Sequence, residues 1–487
     1  MRPMNTGVMN HAPTHLSFEA HIADAIIIPT SVQETISPRM SDITLINGLI
    51  LPDPRRPRVE PHSMTVIAGS KLSVVNGGAD SSVPSGDVID CAGCLIMPGL
   101  ANLHTHAAMA MLRGLADDVP LDTWLNDYIF PAEARFAAPE FVYLGTKLAS
   151  AEMVLSGITC CADGYFFMEQ SARAFAEVGL RAVVAQGILD VPVPDAPQPG
   201  SWKERVEVFL RDFPSDPLVT PALFCHSPYL CSSETLRSAW EICEARDLKL
   251  FVHVAETARE VEDIKARYGL TPVEHLNRVG ILGRRLVAVH CVHLSEKEKE
   301  MLAESGTRIV HCPESAMKLA SGAAPVADLL AKGALVALGT DGPASNNNLD
   351  MFEEMRSASF MAKLVGRDPL ALNAATMIKM ATINGAEALG LEAQIGALEA
   401  GKAADLIVVD LKRPHLTPLY DAISHLVYCA RCSDVRDAIV NGRPVVRDGR
   451  VTTVNEAKLK EEVLELASRI ARDLGRDIPV GRSLKHD

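Results

Sequence analysis

Between about residues 98 and 395, eight short apolar runs alternate with segments of helical spacing, and no other feature of this 487-residue chain narrows its fold as much. The runs are Leu95–Leu103, Ile158–Ala162, Arg181–Ile188, Thr220–Cys225, Leu248–Val254, Leu286–His290, Thr307–Val310 and Ala334–Leu338. Each is predominantly apolar, as a strand covered on both faces must be. Glu140–Ser156 and Ser232–Arg246, lying between runs, have the spacing of amphipathic helices. Eight βα units over roughly 300 residues predict an α/β fold of the (β/α)8 barrel type, although the count alone also admits a doubly wound sheet.

The placement of titratable residues separates these two architectures, because barrel enzymes carry their reactive groups at the C-terminal ends of the strands. The first run ends in His104-Thr105-His106, the fourth in His226, the fifth in His253-Val254-Ala255-Glu256, the sixth in His290, and Asp341 follows the eighth. Residues i and i+2 of a strand share a face, so His104 and His106 are expected to project inward together. An isolated His-x-His says little. A third imidazole at His253 and a carboxylate at Asp341 change its weight, since buried ionisable groups are rarely kept without partners or a metal. Three imidazoles and one carboxylate with an open position suit a single divalent cation, Zn2+ first, with Fe2+ and Mn2+ as alternatives. A water bound there would have its pKa lowered from about 15.7 to around 7, which supplies hydroxide at neutral pH.

The flanks have another texture. Met64–Ala68, Lys71–Val75 and Val88–Cys91 before the barrel, and Ala404–Asp410 and Val435–Val451 after it, are short β-type runs punctuated by turns such as Asn47-Gly48 and Asn441-Gly442. Residues 40–97 and 396–487 are therefore expected to form one discontinuous β-sandwich domain, with a C-terminal packing helix over Glu456–Asp473, around a barrel spanning 98–395. Residues 1–39 mix Asn, His, Thr, Ser and Pro without a sustained period, and are expected to be a poorly ordered N-terminal extension.

Charge and cysteine content exclude several roles. With 47 Lys and Arg against 61 Asp and Glu, the net charge of -14 opposes nucleic-acid phosphates and anionic membrane surfaces, leaving a small molecule as the expected partner. Eleven cysteines is an odd number, and they sit in apolar segments such as Thr159-Cys160-Cys161-Ala162, as free thiols do in a reducing, cytoplasmic compartment. The CxxC pairs at Cys91/Cys94 and Cys429/Cys432 read as buried thiols. No apolar stretch reaches the roughly 18 residues of a membrane span.

The chain also resembles a known family, the amidohydrolase superfamily, from Met40 to about Val451. Pro98-Gly99-Leu100-Ala101-Asn102-Leu103-His104-Thr105-His106, His253-Val254-Ala255-Glu256-Thr257, His290-Cys291-Val292-His293 and Gly339-Thr340-Asp341-Gly342 are similar to its cytosine-deaminase branch, which holds one metal. His106-Ala107-Ala108-Met109 to Arg113-Gly114, Trp124-Leu125, His226-Ser227-Pro228-Tyr229-Leu230-Cys231 and Asp341 to Asn347 resemble, within that branch, the 5-methylthioadenosine/S-adenosylhomocysteine deaminases.

The resemblance implies that His104, His106, His253 and Asp341 ligate the metal and that Glu256 contacts the purine at N1. It further implies that His290 orients the hydroxide, that Asp341 doubles as proton shuttle, that Glu133 grips the ribose hydroxyls and that His226 makes a second substrate contact. The implied reaction is deamination of an adenosine-type nucleoside to its inosine analogue and ammonia. Hydroxide attacks the ring carbon bearing the amine, Glu256 protonates the ring nitrogen, and Asp341 passes the water's proton to the leaving group. One departure bears on the substrate. Some members carry an Arg just after the third strand, where this chain has Gln186; Arg205 is the nearest substitute, and its uncertain register favours substrates without a carboxylate tail. The alternatives weighed are a chlorohydrolase or aminohydrolase of s-triazine rings, for which Glu133 would have no ribose to hold, and a metal-free assembly protein. His293 is expected to make a structural hydrogen bond and His311 to stand in the pocket wall. A homo-oligomer is compatible with the sequence.

Overall fold

The computed structural model describes residues 42–76 and 86–475, so the expectation for residues 1–39 lies outside the described residues. Eight parallel strands follow one another around the central sheet in chain order. They are β1 Leu100–Thr105, β2 Ile158–Tyr165, β3 Arg181–Ile188, β4 Val219–Cys225, β5 Leu250–Val254, β6 Leu286–His290, β7 Arg308–His311 and β8 Leu335–Leu338. Between them run helices such as Pro139–Leu155, Met168–Val178 and Ser233–Arg246. The sheet is drawn into a barrel where β8 returns to β1. There the Asp341 N–H donates to the His104 carbonyl at 2.9 Å, and the Asn102 side chain exchanges two bonds with Thr340, at 2.8 and 3.0 Å.

The apolar run Leu95–Leu103 spans two strands that belong to different sheets. Cys94–Pro98 pairs antiparallel with Leu406–Asp410 outside the barrel, and β1 begins two residues later. Both strands are buried throughout, so hydropathy shows no break between them. The crossing point is Gly99, where an added Cβ would lie 2.0 Å from Thr159 Oγ1. Asn47-Gly48 likewise takes positive φ angles of 64° and 88°. It is no hairpin, because Ile43–Ile46 before it and Leu49–Ile50 after it join different sheets.

Those two sheets make the sandwich. One has the order Lys71–Val74, Met64–Ala68, Ile43–Ile46, Asp87–Asp90. The other inserts Leu406–Asp410 between Val435–Val440 and Cys94–Pro98, which joins strands from the two ends of the chain. Ile43, Leu45, Ile67, Ile96, Leu406 and Val408 share their common core. Arg181, the first residue of β3, ties the barrel's foot to this sandwich by donating to Asp405 at 2.7 and 3.1 Å, with both side chains at most 5% exposed. The same carboxylate accepts the Asn441 N–H at 2.7 Å. The C-terminal helix Glu456–Asp473 packs on the barrel helix Pro139–Leu155, burying Leu459, Leu466 and Ile470 and pairing Arg469 with Glu140 at 3.0 Å.

Candidate active site

Strand parity explains only part of how the polar residues reach the barrel interior. In β4 and β5 the interior residues Phe224 and Phe251 are followed two positions on by His226 and His253, and in β8 Ala337 is followed in the same phase by Gly339 and Asp341. In β1 the interior residues are Ala101 and Leu103, whose phase would turn His104 and His106 outward. The register slips at this point: Asn102 is opposite Cys161 but Thr105 is opposite Asp163, so β1 holds an extra residue and its phase inverts. At the end of β6, His290 adopts φ +72°, a conformation uncommon for a side-chain-bearing residue, after Val287 and Val289 have faced inward. Ala255 and Asp341 also have positive φ, 52° and 62°, so backbone strain gathers at this rim.

These departures bring the groups together. Asp341 Oδ1 lies 3.3 Å from His104 Nε2 and 3.5 Å from His106 Nε2, and His253 Nε2 lies 3.2 Å from His104 Nε2. Ligand atoms of His104, His106 and Asp341 fall within 4.8 Å of one another, as do those of His104, His253 and His290. Burial drives the imidazoles toward the neutral form, with His106 and His290 pushed down to about 4 and His226 to about 3 by burial and neighbouring imidazoles. His104 and His253 move the same way for the same leading cause. For Asp341, burial opposes ionisation, but the hydrogen bond and charge of His104, with His290 and His106, outweigh it and hold the carboxyl well below its usual range. Ser315 donates to its Oδ2 at 2.6 Å and the Gly342 N–H to its Oδ1 at 2.7 Å.

This donor set fits a divalent cation. His106 Nδ1 is 2.6 Å from the Gly164 carbonyl and donates to it, which leaves Nε2 bare and turned toward Asp341. Neutral imidazoles crowded around one buried carboxylate offer lone pairs with too few protons to share, and a cation resolves that arrangement.

Above the cluster opens a pocket enclosing ≈ 760 Å³ with its mouth. His106, His226, His253, Glu256, His290, Asp341 and Glu133 all line it. Glu256 Oε2 is 3.8 Å from His290 Nε2, and its carboxyl is pushed up to about 8 by burial and then by the charge of Asp341. Glu133, 7% exposed, is pushed up to about 7 by burial, an effect the neighbouring Tyr165 phenol partly reverses. One wall is the segment Leu121–Phe136, in which Trp124–Ile129 winds as a π-helix, a rare form that is frequent at functional sites.

Several contributors escaped the sequence reading. Ser315 and Tyr165 approach only through tertiary packing. Glu260 did carry a signal, because Thr257-x-x-Glu260 matches a capping box. Its carboxylate accepts the Ala255 and Glu256 N–H groups at 3.0 and 2.8 Å, which fixes the turn that aims Glu256. His293 Nε2 does hydrogen-bond a backbone carbonyl, that of Ser321, at 2.7 Å. His311 is buried and, contrary to expectation, is not among the residues lining the pocket. Arg205 is held by Asp195 at 2.8 Å and by Glu169, with Gln186 on the same Asp195 oxygen at 2.9 Å. Neither Lys nor Arg lines the pocket among the described residues. All eleven cysteines are free thiols, and none joins a candidate metal cluster among the described residues.

Residues 95–445 match the Amidohydrolase family. A protein of Syntrophobacter fumaroxidans named 5-methylthioadenosine/S-adenosylhomocysteine deaminase is 45% identical over 438 residues, covering 89% of this chain and 98% of that one. The 5'-deoxyadenosine deaminase of Methanothermobacter thermautotrophicus is 45% identical over 83% of this chain and 95% of its own length. Among solved structures, an adenosine deaminase from Xanthomonas campestris with bound zinc superposes with a TM-score of 0.86 at 37% identity, covering 88% of this chain and 98% of that one.

Proposed function

Since the chain belongs to the amidohydrolase family, we propose that it is a metal-dependent deaminase of adenosine-type nucleosides, converting the 6-amino purine to its inosine analogue with release of ammonia. One observation carries the reading: a single pocket holds the imidazole–carboxylate cluster, a protonatable Glu256 and a separate buried carboxylate, Glu133. Those are the parts needed to activate water, to protonate a ring nitrogen and to hold a diol.

His104, His106, His253 and Asp341 would hold one divalent cation, zinc being the one best suited to three imidazoles and a carboxylate. When bound, it supplies the Lewis acidity that makes water a nucleophile at neutral pH. The residues do the rest. Glu256, which keeps its proton up to about pH 8, donates it to purine N1, so that charge does not build on the ring as the nucleophile adds at C6. His290, neutral at pH 7, orients the attacking water. Asp341, ionised, takes one of the water's protons at a carboxylate oxygen and delivers it to the departing amine, the proton left on the C6 hydroxyl returns to Glu256 as the carbonyl forms, and Ser315 fixes the Asp341 carboxylate plane. Glu133 accepts both ribose hydroxyls through charge-assisted hydrogen bonds, and His226 makes a further nucleoside contact. Neither Lys nor Arg lines this pocket and Arg205 is engaged by Asp195 and Glu169, which favours an uncharged 5' substituent (methylthio, hydroxyl or hydrogen) over an amino-acid tail, although Arg259 lines the adjoining pocket that shares Tyr229 and Glu256. Eleven free thiols suit a cytoplasmic setting.

The test is ammonia release by metal-replete enzyme from adenosine, 5'-methylthioadenosine, 5'-deoxyadenosine, S-adenosylhomocysteine and a chlorotriazine. Turnover of the first three ahead of the last two is expected. Absence of turnover of every adenosine derivative overturns the reading.

A further inference from the structure

Two segments fix the Asp341 carboxylate: the turn after β8, whose Gly342 N–H donates to Oδ1 at 2.7 Å, and the helix Pro313–Lys318, whose Ser315 donates to Oδ2 at 2.6 Å. Both are tied to one side chain that does not line the substrate pocket. Glu354 lies in the first turn of the helix Met351–Gly366 and is fully buried. Its Oε1 accepts from the Asn346 amide at 2.6 Å, and its Oε2 accepts the N–H of Glu314, the neighbour of Ser315, at 3.3 Å.

The Asn346 amide is a strut. While it donates to Glu354 it also donates to the Thr340 carbonyl at 2.8 Å, one peptide before Asp341, and the Asn346 N–H closes the turn on the Gly342 carbonyl at 2.9 Å. Thr340 in turn exchanges two bonds with Asn102, whose side-chain oxygen also accepts the His104 N–H at 3.3 Å. A chain of bonds therefore runs from Glu354 to the backbone of two cluster residues. On the other arm Ser357, one turn beyond Glu354, donates to the Glu314 carboxylate at 2.7 Å, so the helix holds Glu314 by main chain and side chain alike.

Folding alone gives little reason for an acid here. The start of this helix is already capped by Asp350, whose carboxylate accepts the Phe352 and Glu353 N–H groups at 2.8 and 3.4 Å. Burial, and then the like charges of Glu314 and Asp341, push the Glu354 carboxyl well above its usual range. A buried acid among acids costs stability that an apolar side chain of similar size would keep. What the apolar side chain lacks is two acceptors on one rigid fork. We infer that Glu354 is a positioning residue for Asp341: its two oxygens hold the Asn346 strut and the Glu314–Ser315 segment in register, and so set the direction in which the Asp341 carboxylate faces the cluster and the pocket. The inference rests on the reading of Asp341 as metal ligand and proton carrier, and extends it to a residue that acts only through Asn346, Glu314 and Ser315.

The test compares full-length wild type with Glu354→Leu, Glu354→Gln and a control in the same helix, the equally buried Met355→Ala. Each is measured for adenosine kcat and KM when zinc-loaded, for zinc affinity by chelator competition, and for melting temperature when metal-free. Glu354→Leu is expected to lose about 10–100-fold in both kcat and zinc affinity, as loss of a ligand's outer support does, with KM held within about twofold. Its metal-free melting temperature is expected at or above that of wild type. Glu354→Gln, which keeps an acceptor for Asn346, is expected to recover most of both losses. Met355→Ala is expected to melt lower with kcat and zinc affinity unchanged. Unchanged kcat and zinc affinity in Glu354→Leu overturn the inference, and so does a loss that Met355→Ala shares, because that reports a loosened helix. If the Leu variant does not fold, Asn346→Ala replaces it with the same expected losses in kcat and zinc affinity. Wild-type enzyme that deaminates no adenosine derivative ends the proposed function alone, and the zinc affinities then decide the role of Glu354.

Discussion

The two ends of the barrel bury ionisable groups in opposite ways. At the foot, Arg181 and Asp405 satisfy each other through two short bonds, and a backbone N–H completes the carboxylate. At the rim, four histidines and three carboxylates line one pocket, and the largest influence on each of them is the cost of burial. The foot is matched within the chain. The rim is matched only when a cation and a substrate arrive, so its groups are held by strained backbone and by buttresses such as Ser315 and Glu260. The same parallel strands thus place stability at one end and chemistry at the other.

Substitutions should separate these ends by sign as well as size. The largest effect is expected at the metal cluster: His104→Ala, or chelation of wild-type enzyme, lowers kcat/KM on the order of 10⁴-fold, and added zinc restores the chelated enzyme alone. Metal analysis beside the kinetics checks it. Glu256→Gln is expected to cost about 10²–10⁴-fold in kcat and to remove the high-pH limb. As the proposed proton donor, wild-type Glu256 would have to carry a proton, so activity is expected to fall as pH rises through about 8. The substitution is expected to act on stability in the opposite direction from its effect on activity. A carboxyl raised from 4.5 to about 8 on folding makes the native state hold a proton the unfolded state releases, so stability drops as pH climbs between those values. Metal-free Glu256→Gln should therefore melt above metal-free wild type at pH 8, and a lower melting point would break the comparison.

At the foot, Arg181→Ala leaves Asp405 buried and unpaired, which is expected to cost about 3–5 kcal/mol of stability while kcat of the folded fraction is retained. Urea unfolding with parallel assays reads both. The smallest effect is expected from Glu133→Gln, which raises KM for ribonucleosides about 10–100-fold, the worth of a hydrogen bond to a charged group, and leaves 2',3'-dideoxyadenosine unaffected.

The strand count, the positions of the reactive residues and the composite sandwich were legible because each depends on hydropathy or on residues fixed to strand ends. His226, His253 and Asp341 follow simple alternation from their apolar neighbours. His104 and His106 share a face as spacing requires, yet that face is the interior only because a bulge in β1 inverts its phase, and no composition rule marks that residue. The Leu95–Leu103 run conceals a change of sheet because both sides of Gly99 are buried. Arg181 and Asp405 stand 224 positions apart, and nothing local in either segment announces the pair. Nothing in the sequence marks the π-winding of the pocket wall at Trp124–Ile129, since it is decided by what packs on it.

The antiparallel pairing of Cys94–Pro98 with Leu406–Asp410 also orders events in time. On a ribosome moving at about 5–20 residues per second, the roughly 300 residues between these strands take some 15–60 s to appear. All eight barrel strands emerge in that interval, whereas Cys94–Pro98 has no neighbour on its Leu406–Asp410 side until the late strand arrives. An exposed apolar strand edge during synthesis is what chaperones bind, so the early flank is where the nascent chain is most in need of one.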